Sequence, residues 1–445
     1  MTADNQKSNR RDFLKHSSAA TLAGGVAINS LNAVQAAHTS YDETIRLGLI
    51  GCGGRGTGAA GQAMNTEGPT KLVAVADAFE NNMERCVRNL SGSHGEKVDV
   101  PKERRFVGFD AYKGVLEQDI DLVLIATPPG FRPMHFEAAV AAGKHVFAEK
   151  PVAVDASGVR RFLKAAKESR ERGLLVQIGL QRRHERAYME TMKRVKDGAI
   201  GHIVSARAYW NGGGVWVRPR KDDQTEMEYQ MRNWYYFNWL CGDHITEQHI
   251  HNLDVINWLM DDFPVKAQGM GGRQVRTGKE FGEIYDHFAV EYTYGENKMG
   301  NDVILSSQCR HIRKCWNSVS EYAAGSNGSV DFSGAKLFDA KGNQTWEFGD
   351  GGRSGHQQEH HDLFADFRGG KRPNEAEYGA KSTMTSILGR MATYSGQEIR
   401  WEDAINSERQ LADMDSFHSY SDTAPVQPND DMSYDVPMPG SHEVL

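Results

Sequence analysis

From Thr44 to Pro151, short apolar segments rich in β-branched residues alternate with longer segments whose apolar positions recur at helical spacing. Polar residues seldom interrupt the short segments, which is typical of strands that helices cover on both faces. The pattern therefore predicts a doubly wound parallel sheet with crossover helices, a Rossmann-type α/β domain. Predicted strands cover residues 45–50, 71–76, 106, 121–126 and 145–148, and predicted helices cover 56–66, 81–90 and 134–142.

After Pro151 the chain continues with a predicted helix (156–172), a strand (174–179) and a helix (186–197), and then its character changes. Several later segments alternate polar and apolar residues or are rich in strand formers, with turn residues between them. These segments, which cover 201–209, 265–276, 285–294 and 302–311, predict a mostly antiparallel open sheet, followed by a helix over 381–394 that stops at Gly396. Such a sheet leaves one face free, so we expect a homodimer or homotetramer.

These patterns divide the chain into an N-terminal domain over residues 44–165 and a C-terminal α/β domain over 166–420 that would carry the substrate and the oligomer interface. The final segment, 424–445, lacks hydrophobic periodicity. We expect that segment to be disordered or to lie over a neighbouring subunit.

Composition narrows the class of protein. The chain has 445 residues, of which 39% are hydrophobic and 25% charged, so it is long enough for two globular domains. The net charge of −7 argues against a nucleic-acid partner. We expect no membrane-spanning helix after the N-terminus, because no apolar run there reaches about 18 residues. The 5 cysteines lack CxxC spacing and favour free thiols over a zinc site, although Cys309 and Cys315 could pair.

The first 37 residues have three features of an export signal in the right order. A near match to the twin-arginine pattern, Ser8-Asn9-Arg10-Arg11-Asp12-Phe13-Leu14-Lys15, precedes a weakly apolar stretch over 17–34. Val34-Gln35-Ala36 then offers small residues for cleavage. We expect residues 1–37 to be a twin-arginine signal peptide and the mature protein to be periplasmic or otherwise extracytoplasmic, with a disordered basic tail as the alternative.

Gly51-Cys52-Gly53-Gly54-Arg55-Gly56 is a G-x-G-x-x-G motif that follows a predicted strand and opens a predicted helix. In this context the glycines permit a tight turn, close approach of the backbone to a pyrophosphate and helix packing on the strand. Asp77 ends the second strand, where a carboxylate can accept hydrogen bonds from the adenosine ribose. That carboxylate favours NAD, while Arg55 leaves NADP open because it could pair with a 2′-phosphate.

Thr127-Pro128-Pro129 follows a buried strand, His135 comes next, and Glu149-Lys150-Pro151 lies about 20 residues later. Together with the glycine motif, this order resembles the Gfo/Idh/MocA oxidoreductase superfamily over residues 44–404. The resemblance implies that Thr127 and Pro128 line the nicotinamide ribose, that His135 lies near the cofactor, and that Glu149 and Lys150 reach that ribose and the substrate hydroxyls. The expected cofactor-binding residues are Gly51, Gly53, Gly54, Arg55, Gly56, Asp77, Thr127, Pro128, His135, Glu149 and Lys150.

Glu247 and His251 are one helical turn apart in a segment where Ile250, Leu253, Ile256 and Leu259 follow helical spacing. Sugar-oxidising members of the superfamily usually have Asp-x-x-x-His there, with the histidine taking the hydroxyl proton. The acid in this chain is one methylene longer. We expect Lys150, His251 and Glu247 to be catalytic, since a cation stabilises an alkoxide and histidine suits proton transfer near neutral pH.

Two other interpretations of that segment stay open. Its polar side chains could simply be solvated, or a metal could bind among His244, Glu247, His249, His251 and the separate pair His360-His361. Because members of the superfamily generally need no metal, we expect none.

The substrate candidates are Lys150, Arg182, His184, Trp234, Glu247 and His251. Arg182 and His184 follow a strand, and Trp234 opens an aromatic cluster. Aromatic faces stack on sugar rings, and Arg and His side chains reach ring hydroxyls. A glycine-containing loop between Trp210 and Trp216 could lie near the same pocket.

The leading hypothesis is reversible hydride transfer between a sugar or cyclitol hydroxyl and NAD, with NADP possible. A second hypothesis is an NAD-dependent glycosidase that acts by transient oxidation and elimination, as in glycoside hydrolase family 109 of the same superfamily. A third is a non-catalytic sugar-binding protein. Because the twin-arginine pathway carries folded proteins, export favours a tightly held cofactor under each hypothesis.

Overall fold

The computed structural model describes residues 43–296, 300–349 and 354–445. The predicted signal peptide lies outside these ranges. Within them, no helix combines the length and the apolar character that a membrane span requires.

A parallel sheet with strand order β3-β2-β1-β4-β5-β6 forms the N-terminal part of the structure. Its strands are β1 (Ile45–Ile50), β2 (Thr70–Asp77), β3 (Arg105–Val107), β4 (Leu122–Ile125), β5 (His145–Ala148) and β6 (Val176–Ile178). The helices that follow these strands are α1 (Gly54–Met64), α2 (Glu80–His94), α3 (Ala111–Leu116), α4 (Arg132–Ala141), α5 (Ala156–Glu171) and α6 (Arg186–Lys196). β1 and β4 consist almost wholly of buried residues, as strands covered on both faces should.

A second sheet has the order β14-β13-β12-β11-β7-β10-β9-β8-β15. Its strands are β7 (Ile203–Gly212), β8 (Lys266–Gly272), β9 (His287–Glu296), β10 (Asp302–His311), β11 (Ser318–Gly325), β12 (Gly328–Asp331), β13 (Lys336–Asp339), β14 (Gln344–Glu347) and β15 (Ile399–Arg400). The pairs are antiparallel apart from β7 with β10, which is parallel. This arrangement confirms the predicted fold class.

The remaining helices are α7 (Glu226–Arg232), α8 (Asn238–Cys241), α9 (Asp243–Glu247), α10 (Ile250–Met260), α11 (Gly355–Arg368), α12 (Ala376–Ser395) and α13 (Trp401–Ile405). α10 lies against β7 and β11 of this sheet, whereas α11 packs against α1. α12 lies against β8, β9 and α5, and nearly all of its residues are buried. It approaches the sheet closely because residue 389 is glycine: a Cβ there would lie 1.9 Å from the Tyr292 hydroxyl oxygen.

Two features differ from the predicted domain boundaries. β6 extends the parallel sheet to Ile178, beyond the predicted end of the domain at residue 165. The tail 424–445, expected to be disordered, is placed against the body of the protein: the Tyr434 hydroxyl donates to Glu226 at 2.6 Å, and the Tyr285 hydroxyl donates to the Pro437 carbonyl at 2.7 Å. Buried hydrogen-bonding side chains on the body thus anchor a segment that has no periodicity of its own.

The chain order of the parallel sheet creates a switch point between β1 and β4. The loops that leave these two strands diverge to opposite faces of the sheet, and the crevice between them is where open α/β sheets bind ligands. The carboxyl ends of β1, β2, β4 and β5 carry the glycine motif, Asp77, Thr127 and Lys150, respectively. The fold therefore gathers the residues of the sequence motifs at one edge.

Candidate active site

The turn between β1 and α1 forms an open cradle. Gly51 has φ +96°, and a Cβ there would lie 2.7 Å from the backbone of Ala126, so only glycine fits the turn. A Cβ at Gly56 would lie 1.8 Å from the Gly51 carbonyl oxygen. A Cβ at Gly53 or Gly54 would meet nothing within 4 Å. The loop is thus closely packed beneath and open at the N-terminus of α1, which fits a dinucleotide pyrophosphate.

Asp77 holds the same loop from the end of β2. Its carboxylate accepts hydrogen bonds from the backbone N–H groups of Cys52 at 2.7 Å and Phe79 at 2.8 Å. Burial raises the pKa of Asp77, while these N–H donors oppose the rise. Each carboxylate oxygen can accept a further bond, so Asp77 is placed to receive ribose hydroxyls.

Arg55 does not face the adenosine end of the cleft. Its guanidinium binds the carboxylate of Glu149, lies 3.6 Å from Glu359 and donates to Gln62 at 2.9 Å. Both carboxylates are buried, at 3% and 0% exposure. This arrangement does not favour the suggested pairing of Arg55 with a 2′-phosphate, because two buried carboxylates hold the side chain.

Thr127 and His135 form a small unit after β4. The Thr127 hydroxyl and His135 Nδ1 are 3.1 Å apart, and the imidazole lies between the rings of Tyr112 and Phe131. Burial lowers the pKa of His135 to about 3, so the ring is neutral. His135 is thus placed beneath the turn, where it orients the Thr127 side chain.

Lys150 and Glu247 meet where the carboxyl end of β5 faces the helical layer. Lys150 Nζ donates to the backbone oxygen of Glu247 at 2.6 Å and to its Oε1 at 3.2 Å. Both side chains retain 13% exposure. Each is buried enough for a strong mutual charge interaction and open enough to reach a ligand.

His251 lies near enough to Lys150 for the lysine charge to affect its pKa. The helix geometry that places it there differs from the single helix that the sequence suggested. The segment 243–260 is divided into α9 and α10, with Gln248 and His249 between the two helices, so Glu247 and His251 do not share one helical face. The imidazole of His251 stacks on Trp210 with ring centroids 6.0 Å apart, and its buried Nδ1 has no hydrogen-bond partner in the part of the chain that the structure describes. Burial lowers its pKa well below the ordinary value, and the charges of Lys150 and Arg182 lower it further.

Arg182 and His184, two expected substrate ligands, are engaged elsewhere. Arg182 binds the buried carboxylate of Glu321, which also accepts from Asn252 at 2.6 Å. His184 Nδ1 lies 2.7 Å from Asp362. Arg182 therefore shapes the wall behind His251, and His184 ties its turn to α11.

One member of the aromatic cluster that the sequence did not single out, Tyr235, is buried near enough to Glu247 for its charge to act on the phenol. Trp234 packs on Trp216 and Tyr235 at centroid distances of 5.9 and 5.6 Å. Tyr235 is 3% exposed, and its hydroxyl has no hydrogen-bond partner among the described residues. Burial raises the pKa of Tyr235, with the charge of Glu247 adding to the rise. No local sequence signal distinguishes Tyr235 from its aromatic neighbours.

The histidines of the metal hypothesis are dispersed among different partners. His244 Nδ1 lies 2.8 Å from the Asp243 carboxylate, and His249 Nε2 lies 2.6 Å from the Ser307 hydroxyl. His360 Nδ1 lies 3.0 Å from the backbone carbonyl of His356. Among the described residues, no three His, Cys, Asp or Glu side chains are grouped as a metal site would require. The 5 cysteines are free thiols.

A glycine cradle at the switch point, a ribose carboxylate and a Lys-Glu-His group at the sheet edge define a nicotinamide-dependent oxidoreductase. Residues 45–178 match the family described as "Oxidoreductase family, NAD-binding Rossmann fold", GFO_IDH_MocA. The dinucleotide-binding domain of this chain is therefore similar to that of the Gfo/Idh/MocA oxidoreductases.

Inositol dehydrogenases are among the relatives. The chain is 27% identical over 267 residues to inositol 2-dehydrogenase of Rhizobium meliloti (strain 1021), covering 60% of this chain and 69% of that protein. It is 30% identical over 222 residues to inositol 2-dehydrogenase of Klebsiella pneumoniae (strain 342), covering 49% and 55%. For several of the inositol dehydrogenases that this chain resembles, the aligned region spans little more than half of the relative's length.

The fold is shared over a longer stretch. Scyllo-inositol dehydrogenase from Lactobacillus casei, solved with bound NAD(H) and scyllo-inositol, superposes with a TM-score of 0.60 at 20% identity and covers 81% of this chain and 100% of that one. The likeness extends through both sheets.

Proposed function

We propose that the protein transfers a hydride reversibly between a CH–OH carbon of a cyclitol or sugar and NAD. The observation that carries the proposal is the Lys150–Glu247 pair at the carboxyl edge of the dinucleotide-binding sheet, with the neutral imidazole of His251 near enough for the charge of Lys150 to lower its pKa. The inositol dehydrogenases among the relatives support this class of substrate.

Bound nicotinamide supplies the hydride acceptor, and the side chains of this chain manage the proton. Neutral His251 can accept the hydroxyl proton of the substrate. Lys150 stabilises the negative charge that develops on the oxygen as hydride leaves the carbon. Glu247 fixes the Lys150 ammonium in place, and Trp210 holds the plane of the His251 ring.

A substrate panel tests the proposal. Purified protein with NAD is incubated with cyclitols and free sugars, and NADH is followed at its absorbance maximum. Reduction of NAD by a cyclitol or a sugar is expected. Release of nitrophenol from nitrophenyl glycosides without net reduction of NAD would instead indicate a redox glycosidase. If both signals are absent, the result would favour a non-catalytic sugar-binding protein.

Asp77 and Arg55 support NAD as the preferred cofactor. A carboxylate at the end of β2 repels a 2′-phosphate, and the arginine that could compensate is held by Glu149. Titration with NADH and NADPH measures the preference directly, and tighter binding of NADPH would contradict it.

We infer further that the protein is exported by the twin-arginine pathway and acts as a homodimer or homotetramer. The Arg10-Arg11 motif and its following apolar stretch support export. Large apolar side chains on β8 and β11, Met270 at 77% and Val319 at 44% exposure, support association. Cell fractionation of wild-type and Arg10→Lys/Arg11→Lys protein tests the first inference, and light scattering tests the second.

A further inference from the structure

Residues 411–440, here called the strap, run along the side of the protein and are bound to its N-terminal part. The Leu411 N–H donates to Asp155 Oδ2 at 3.0 Å. Arg161 donates to the Asp415 carboxylate at 2.6 Å. These contacts fix the start of the strap to the Rossmann domain at α5.

The far end of the strap is bound to the C-terminal part. Gln230 on α7 donates to the Val426 carbonyl at 2.5 Å. The Gly440 N–H donates to the Ser395 carbonyl at the end of α12 at 2.8 Å. Because both ends are held, the middle of the strap is stretched between the two parts of the protein.

Tyr420, in that middle, lies beside the adenosine end of the dinucleotide cleft. Its hydroxyl donates to the Ala78 carbonyl at 2.6 Å. Its ring stacks on Phe79 at a centroid distance of 5.2 Å and an interplanar angle of 18°, and it meets the edge of Phe109 at 5.3 Å. Ala78 and Phe79 directly follow Asp77, so the strap touches the residues next to the ribose carboxylate.

The charge environment agrees with this placement. Burial raises the pKa of Tyr420, and the charge of Asp77 is the next contribution. The guanidinium of Arg232 lies over the Phe79 ring, 4.0 Å from its centroid. The wall that Phe79, Phe109 and Tyr420 form is therefore continuous with the Asp77 site.

We propose that the strap is the outer wall of the adenosine pocket and slows release of the dinucleotide. In a Rossmann domain the adenosine ribose is held at the end of the second strand, so the adenine extends toward the residues after Asp77 and after β3. Tyr420 bridges these two segments from outside. To leave, the adenosine half has to separate Tyr420 from Phe79 and Ala78.

Slow release has a chemical consequence, which rests on the proposed function. Oxidation of one CH–OH substrate moves a hydride to the bound nicotinamide and a proton to the protein. If the reduced nicotinamide stays, a carbonyl compound that enters the same pocket has to take up that hydride and a proton. The second substrate is thus a ketone or aldehyde of similar size.

The test measures NADH release without any substrate. The full chain is loaded with NADH, a large excess of NAD is added, and the loss of bound-NADH fluorescence is followed. Tyr420→Ala removes the ring and is expected to raise the release rate about ten- to a hundredfold, whereas Tyr420→Phe keeps the stacking and should raise it only a few-fold. Met438→Ala, on the same strap with a side chain that is 66% exposed, is the matched control and should release at the wild-type rate.

Thermal unfolding of each variant separates loss of the wall from loss of the fold. An unchanged rate of NADH release from folded Tyr420→Ala protein would refute the proposed role of the strap while leaving the proposed function intact. Slower release or tighter binding would also refute it, because Tyr420 would then compete with adenine. A wild-type protein that binds no NADH would contradict the proposed function and the strap together.

Discussion

Lys150 and His251 act on one oxygen in the proposed mechanism, so their substitutions should not behave independently. His251→Ala should lower kcat about 10²- to 10⁴-fold, because general acid–base catalysis contributes an effect of that order. Lys150→Ala should lose at least as much, since the developing charge then lacks its cation. The double variant should be little worse than the poorer single variant.

Steady-state kinetics and NADH titrations of the three variants check this expectation. NADH affinity should change far less than kcat, because neither side chain is needed for the glycine cradle. Losses that multiply, or turnover that survives either substitution, would exclude a shared oxygen as the point of action.

Tyr235 offers a residue-scale test in which activity and stability should move in opposite directions. Its buried hydroxyl has no partner among the described residues, so Tyr235→Phe should leave the free energy of unfolding unchanged or slightly higher. We expect this hydroxyl to bind the substrate once the site is occupied, so kcat/KM should fall about tenfold in the same variant. Tyr236→Phe is the matched control: its hydroxyl donates to the Trp216 carbonyl at 3.0 Å, so stability should fall while activity is kept.

At the scale of elements, the glycine loop permits a comparison between two similar changes. Gly56→Ala puts a Cβ 1.8 Å from the Gly51 carbonyl oxygen and should lower the free energy of unfolding by about 3 kcal/mol, the upper end of the range typical of overpacking. Gly53→Ala meets no protein atom within 4 Å, so the fold should persist. It should nevertheless weaken NADH binding, because its methyl group enters the pyrophosphate space.

Chemical denaturation and NADH titration of both variants separate these effects. A Gly53→Ala protein that binds NADH with wild-type affinity would show that the pyrophosphate does not approach this loop.

Strands of both sheets could be predicted from the sequence where the local pattern alone determines their bounds. The bounds of β5 and β10 match the predictions, since each is a run of strand formers between clear turn residues. The break between α9 and α10 was not predicted, because Ile250, Leu253 and Ile256 keep helical spacing on one side of it and nothing marks Gln248 as its end.

Side-chain partnerships between distant segments were less accessible. Arg182 was expected at the substrate because its type suits hydroxyl binding, but its partner Glu321 lies 139 residues away on β11. Glu359, which helps to hold Arg55, comes from α11 and carried no motif. Such pairs depend on tertiary packing, which one sequence without its fold does not specify.

At the scale of the whole molecule, several buried histidines make stability depend on pH. Burial lowers the pKa of His135, His249 and His360 to about 3 and of His145 to about 4. An unfolded histidine titrates near 6.5, so between that value and the folded pKa the unfolded state binds more protons. The stabilising contribution of each group is therefore complete above about pH 6.5 and declines as the pH falls.

Buried carboxyl groups act in the opposite direction. Burial raises the pKa of Glu283 to about 7 and that of Glu359 well above its ordinary value, so both groups stabilise the folded state as the pH falls toward the unfolded value near 4.5. Burial also raises the pKa of Asp77, Glu185 and Glu321. Each fully coupled group contributes about 1.4 kcal/mol per pH unit, so the slope of the wild-type protein is the difference between the two sets, and a single histidine is isolated by comparing a variant with the wild type.

Urea denaturation at a series of pH values measures this slope. His249→Gln removes one buried imidazole while leaving an amide that can reach the Ser307 hydroxyl, so its slope below pH 6.5 should be shallower by about 1.4 kcal/mol per pH unit. His202→Gln changes an exposed histidine and should keep the wild-type slope. Comparing slopes rather than absolute stabilities removes any packing cost of the substitution, because that cost is the same at each pH. A His249→Gln slope equal to that of the wild-type protein would mean that the His249 imidazole is not buried in neutral form.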